Sequence, residues 1–147
     1  MLKKLIIATG LIFTISTQAA EIGTVVTAET TEGLNTATYV EQVVWAVGQS
    51  QEVKLFSLVG GDPAINPVQL YVAVFVDVEQ GYKVYSLGMM ESFELVQNTK
   101  DGYLKINVKR TTMDSEGEEL QENAVLFVNI TEASQGKIWT KLVSNIK

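Results

Sequence analysis

The sequence contains no cysteine and no histidine. The first absence excludes disulfides, thiol redox chemistry and a lipid carried on an N-terminal cysteine. The second removes the imidazole general base. Ser-His-Asp and Cys-His catalysis, haem ligation and the usual zinc sites go with it. An enzyme built from what remains would work with carboxylates, lysine, tyrosine, serine or an oxygen-bound metal. Proline is scarce, with two in 147 residues, so little interrupts regular backbone. Positive charge is scarce as well, with eleven Lys and Arg against seventeen Asp and Glu. Such a chain repels phosphate backbones and anionic lipid, which disfavours nucleic acid as a partner. No residue pattern points to a cofactor.

What is present starts at the N-terminus. Lys3 and Lys4 precede an apolar stretch, Leu5–Ile15, followed by the small-residue segment Ser16-Thr17-Gln18-Ala19-Ala20. This is the three-part layout of a secretory signal. The apolar stretch is shorter than the roughly 20 residues of a spanning helix. A cut after Ala19 puts Thr17 and Ala19 at the small positions read by the peptidase, with a cut after Ala20 as the alternative. The expectation is a signal peptide over 1–19 and a single β-rich domain over 20–147, a length that buries an adequate core without staples. Losing Lys3 and Lys4 leaves nine basic against seventeen acidic residues, a net charge of −8. An exported domain of this size without cysteine fits a bacterial periplasmic or secreted protein, with no integral membrane association after cleavage.

The mature chain reads as strand after strand. Leu104, Ile106 and Val108 alternate with Lys105, Asn107 and Lys109, a period of two that gives one core face and one wet face. The stretch 124–131 alternates in the same way. Leu70–Val78 is apolar on both faces, as a central strand should be. The stretches 53–59, 82–87, 92–98 and 137–144 complete the set. Glu79-Gln80-Gly81 and Lys100-Asp101-Gly102 read as hairpin turns, Gly48–Gln51 as a tight connection, and Met113–Asn123 as a longer polar excursion. The expected fold is all-β: one antiparallel β-barrel or β-sandwich of roughly eight or nine short strands. The segment 36–47 is ambiguous. Ala37, Val40, Val44 and Val47 form a helical stripe, yet its valines, Tyr39 and Trp45 favour a strand. It is read as strand, with one short helix as the alternative.

Two stretches are candidate interaction loops. Gly60-Gly61-Asp62-Pro63-Ala64-Ile65-Asn66-Pro67 holds both prolines. It reads either as a rigid crossover or as a shaped loop presenting Asp62 and Asn66, with Gly60 and Gly61 exposing backbone N–H groups. Asp114, Glu116, Glu118 and Glu119 form an acidic loop able to dock a basic surface or, less fittingly, calcium; the spacing lacks the helix–loop–helix calcium pattern. Read plainly, the same charges mark a solvated hairpin tip. Carboxylate pairs such as Glu91 with Glu94, or Asp77 with Glu79, arise by chance among seventeen acids. Trp139 alternates with Ile138 and Thr140 and so is expected to face outward.

These features suggest a non-enzymatic envelope or secreted protein that acts by binding, as an inhibitor or accessory factor for a basic protein. One alternative is a carrier for a small apolar ligand, with Leu70, Val72, Val74 and Val76 lining a cavity of several hundred Å³. A carboxylate-based hydrolase is the other, and requires two acids converging in one cleft.

Overall fold

The computed structural model describes residues 23–29, 40–62, 64–96 and 100–144. The expected signal peptide lies outside the described residues, as does 36–39 of the ambiguous segment. Among the described residues there are nine strands: β1 (Thr24–Thr27), β2 (Val40–Trp45), β3 (Val53–Asp62), β4 (Asn66–Asp77), β5 (Gly81–Met90), β6 (Ser92–Leu95), β7 (Tyr103–Met113), β8 (Glu119–Asn129) and β9 (Lys137–Ser144). They form two antiparallel sheets, a five-stranded one in the order β1-β9-β8-β7-β6 and a four-stranded one in the order β2-β3-β4-β5. Most neighbours are also sequence neighbours. β1 is the exception, since it pairs with β9 at the far end of the chain.

Alternation explains which residues face inward. Leu104 sits opposite Val128, and Ile106 opposite Leu126, so their side chains share a face. Leu104, Ile106, Leu126 and Val128 are buried, whereas Lys105 and Asn107 are exposed. In the other sheet Leu55 opposes Val72, and Val53 opposes Val74. One apolar cluster joins these residues from both sheets, with Tyr85 and Ile138 in the same group. Each such aliphatic side chain contributes about 1.5–3 kcal/mol on burial. The buried Tyr85 hydroxyl is satisfied by donating to the Ala133 carbonyl at 2.7 Å. Burial pushes its pKa up to about 12. β4 has neighbours on both sides, and Leu70 through Val74 are all buried. Its two-sided apolar sequence reflects this central place.

The ambiguous segment is a strand over Val40–Trp45, as expected, and two other segments differ from the expectation. Val40–Trp45 pairs with β3, with Val43 opposite Phe56 and Val44 opposite Leu55. Pairing of β-branched residues with β3 overrides the weak helical stripe. The polar excursion 113–123 is also mostly strand. β7 runs to Met113, β8 starts at Glu119, and only the turn lies between. Its strand residues lie past the core, so no apolar alternation marks them. Finally, Gly60–Pro67 is not a long loop, because β3 runs through Asp62 and β4 starts at Asn66, opposite it.

Hairpin turns fall where glycine permits. Gly102 has φ 77°, and an added Cβ would meet the Thr131 methyl at 2.7 Å. Both facts favour glycine there.

Candidate functional site

Two carboxamides tie the sheets together, one at each end of the molecule. At the end that holds the β2–β3 and β6–β7 connections, Gln49 Nε2 donates to the carbonyls of Lys100 (3.1 Å) and Tyr103 (3.2 Å). Its Oε1 accepts from the Gly102 N–H at 2.6 Å. Beside it, the Ser50 N–H donates to Asp101 Oδ1 at 2.6 Å. That bond comes first among the causes holding the Asp101 carboxyl below the usual carboxylate range. At the opposite end, Asn66 Nδ2 donates to the Thr111 carbonyl at 2.9 Å, and Asn66 Oδ1 accepts the Thr111 N–H at 3.0 Å. Asn66 thus satisfies both backbone groups of one β7 residue, as a neighbouring strand would.

The Asn66 tie brings the two candidate loops together. The β3–β4 hairpin, with Gly60, Gly61 and Asp62 on its first strand, is held against the last residues of β7, and the β7–β8 hairpin follows directly. Nothing in the sequence places these loops side by side. Asn66 itself faces β7 through both ends of its carboxamide.

Within the acidic hairpin the four acids divide into two roles. Asp114 Oδ1 accepts the N–H groups of Glu116 (2.8 Å) and Glu118 (2.9 Å). The backbone closes around it, from the Asp114 N–H to the Glu118 carbonyl at 3.0 Å, with Gly117 at φ 85°. Asp114 therefore shapes the turn. Glu116, Glu118 and Glu119 are exposed. The nearby cations are engaged: Arg110 Nε meets Glu122 Oε2 at 2.6 Å, and Lys109 Nζ meets Glu91 Oε2 at 2.6 Å. Ser144 Oγ also donates to Glu122. No lysine or arginine occurs between Arg110 and Lys137 in the sequence. The hairpin tip accordingly exposes three acids and no basic side chain.

Other acids are used locally. Asp77 accepts from the backbone N–H groups of Glu79 (2.9 Å) and Gln80 (2.7 Å) and from Gln80 Nε2 (2.7 Å), which holds it below the usual range. Among the described residues no group of three or more acids is placed to hold a metal ion. Also among them, no helix is long and apolar enough to cross a membrane.

Leu70, Val72 and Val74, proposed to line a ligand cavity, are packed in the shared core. Val76 is half-buried. Two clefts of about 430 and 480 Å³ open at the surface, and neither is lined by these four residues. Trp139 does lie on the outward side of β9: its partners are Val25 and Asn129, whereas the neighbouring Ile138 is buried. The Glu132 carboxylate meets Lys137 Nζ at 2.7 Å. Lys137 foremost, then the Trp139 indole, keeps Glu132 below the usual carboxylate range.

Compared with known proteins, the chain matches no family model, no curated protein and no solved structure.

Proposed function

We propose that this is an exported, non-enzymatic binding protein that uses its acidic end to engage a basic protein, as an inhibitor or accessory factor does. The observation that carries the reading is the Asn66 tie, which sets the β3–β4 hairpin beside a tip bearing Glu116, Glu118 and Glu119. Three exposed carboxylates with no cation following until Lys137 give a field that steers a positively charged partner. Rigid sheets supporting exposed turns are a common platform for contact. The signal-like N-terminus supports export to the periplasm or exterior. At the level of fold we favour a sandwich over a closed barrel. The two sheets share one core, and among the described residues β2 has a strand neighbour on one side only.

The test is affinity capture from envelope extract with the mature protein and a Glu116→Lys/Glu118→Lys/Glu119→Lys variant. The expected result is a basic partner retained at low salt, weakened at moderate salt by screening, and lost with the variant. Capture that ignores both salt and variant, or no capture at all, overturns the reading. Mass determination of the exported product checks the cut after Ala19.

A further inference from the structure

β2 closes one side of the four-stranded sheet, and among the described residues its outer edge meets no other strand. One bond shows which backbone groups lie on that edge. The Ala46 N–H donates to the Val53 carbonyl on β3 at 2.9 Å. Register is unbroken from Trp45 opposite Lys54 back to Gln42 opposite Ser57. In an antiparallel pair every second residue bonds to the partner strand. Gln42, Val44 and Ala46 therefore turn their backbone groups to β3, and Val43 and Trp45 turn theirs away from it. Each of these two residues offers an N–H and a carbonyl with the spacing of an unfinished ladder.

The side chains beside these groups are apolar, and one is held in place. Val43 is 50% exposed and Trp45 54% exposed. Lys54 Nζ lies 4.3 Å from the Trp45 ring centroid. Lys54 is itself fixed by Glu52 at 3.1 Å and by the Tyr82 ring at 4.2 Å. A tryptophan already pinned by a cation loses little freedom when a partner covers it.

The other sheet edges are blunted. β1 and β6 are four residues long. On β5 the Val84 carbonyl is taken by the Glu29 N–H at 2.7 Å, and the register with β4 breaks between Ser86 and Gly88. Short edges, bulges and covering chain keep sheets from pairing between molecules. β2 also has a register break, but it falls between Val40 and Gln42 and leaves Gln42 to Ala46 regular.

We propose that the outer edge of β2 pairs antiparallel with the same edge of a second copy, joining the four-stranded sheets of both into one. The middle of the regular stretch is Val44. A two-fold axis beside it sets Val43 of each copy opposite Trp45 of the other, where both exchange their N–H and carbonyl groups. Charge permits this although the chain is net acidic. Glu41 is the sole charged residue from 40 to 47, and the two copies of it fall at opposite ends of the pairing. β2 runs toward the Gln49 end, so antiparallel pairing sends the two acidic hairpins away in opposite directions. So short an edge makes a small interface, with an expected Kd of about 10–100 µM. Pairing at β2 does not depend on what the acidic end binds.

The test is analytical ultracentrifugation of the mature protein from about 1 to 500 µM, with amide exchange at both limits. The mass is expected to rise from one copy to two. Exchange at Val43 and Trp45 slows with concentration, while Val44, already bonded to β3, stays unchanged. Val43→Pro removes an N–H that β3 does not use, so the fold is kept, which an unchanged Tm verifies. One bond is lost from each copy, and affinity falls about tenfold or more. Val43→Lys gives the same result if the proline disturbs β2, because an edge lysine resists pairing. A single copy up to about 500 µM overturns the proposal and leaves the edge to an extended segment of another protein. A dimer that both variants leave intact overturns it too, as does protection that arises away from β2.

Discussion

The two ends of the molecule solve the same problem with the same chemical group in different surroundings. Each is closed by a carboxamide reaching from one sheet to the backbone of the other. Gln49 makes three bonds, but its side-chain bonds to Lys100 and Tyr103 lie in water. Asn66 makes two, partly buried, to a Thr111 that is 9% exposed. Bond number and energetic worth therefore run in opposite directions. Water replaces a lost bond at an exposed loop. It cannot easily reach the backbone of Thr111, where an orphaned donor and acceptor cost their full desolvation.

This contrast sets an order of effects. The largest is expected for Asn66→Ala, a loss of about 2–3 kcal/mol, since both Thr111 backbone groups lose their partner. Chemical denaturation checks it. A loss equal to that of Gln49→Ala would erase the distinction between the ends. Gln49→Ala comes next, at about 1 kcal/mol despite its greater number of bonds. Amide exchange at Gly102 should rise there while exchange at Thr111 stays slow.

The smallest effect is one of pH, and it separates the ends by kind. Asp101 has a folded pKa below its unfolded value because of its bonds to Ser50. Its contribution is therefore present above the unfolded pKa, about 3.9, and fades as pH falls through the lower folded value. The Asn66 tie carries no titratable group. Acidification below about pH 4 should thus speed amide exchange at Ser50 before it affects Thr111. Simultaneous loosening at both would show that the ends are not independent.

Much of the fold was legible because apolar periodicity is a direct record of burial. β7 carries Leu104, Ile106 and Val108 at every second position because a solid core lies on one side of it. β4 is apolar from Leu70 to Val74 because both its faces are buried there. The record stops where the core stops. Glu119 to Asn123 is paired to β7 residue for residue, yet it reads as loop because no apolar partner selects its side chains. Candidate-site residues were legible one loop at a time. Asp114 and Glu116–Glu119 stand out as charge, and Gly60 to Pro67 as turn chemistry. Their juxtaposition was not legible, because it depends on one bond pair between residues 45 positions apart. Gln49 carried no signal at all: a polar residue in a glycine turn looks the same whether or not it reaches across the molecule. The outward side of β9 was half legible. Alternation predicts that Trp139 faces out, but its alignment with Val25 and Asn129 needs register, which the turns fix and composition does not.

The β7–β8 hairpin projects past the last core pair, carrying Met113 and Leu120 more than half exposed. Beyond pairing within the hairpin, single side-chain bonds hold this part down, from Asn66 at Thr111, from Gln121 to Glu91 and from Ser144 to Glu122. Such a projection can fray at far lower free energy than global unfolding. An endoprotease that cuts after glutamate therefore meets its substrate in the native protein. The first nick should fall at Glu116 or Glu118, with the two sheets still joined and their shared core undisturbed.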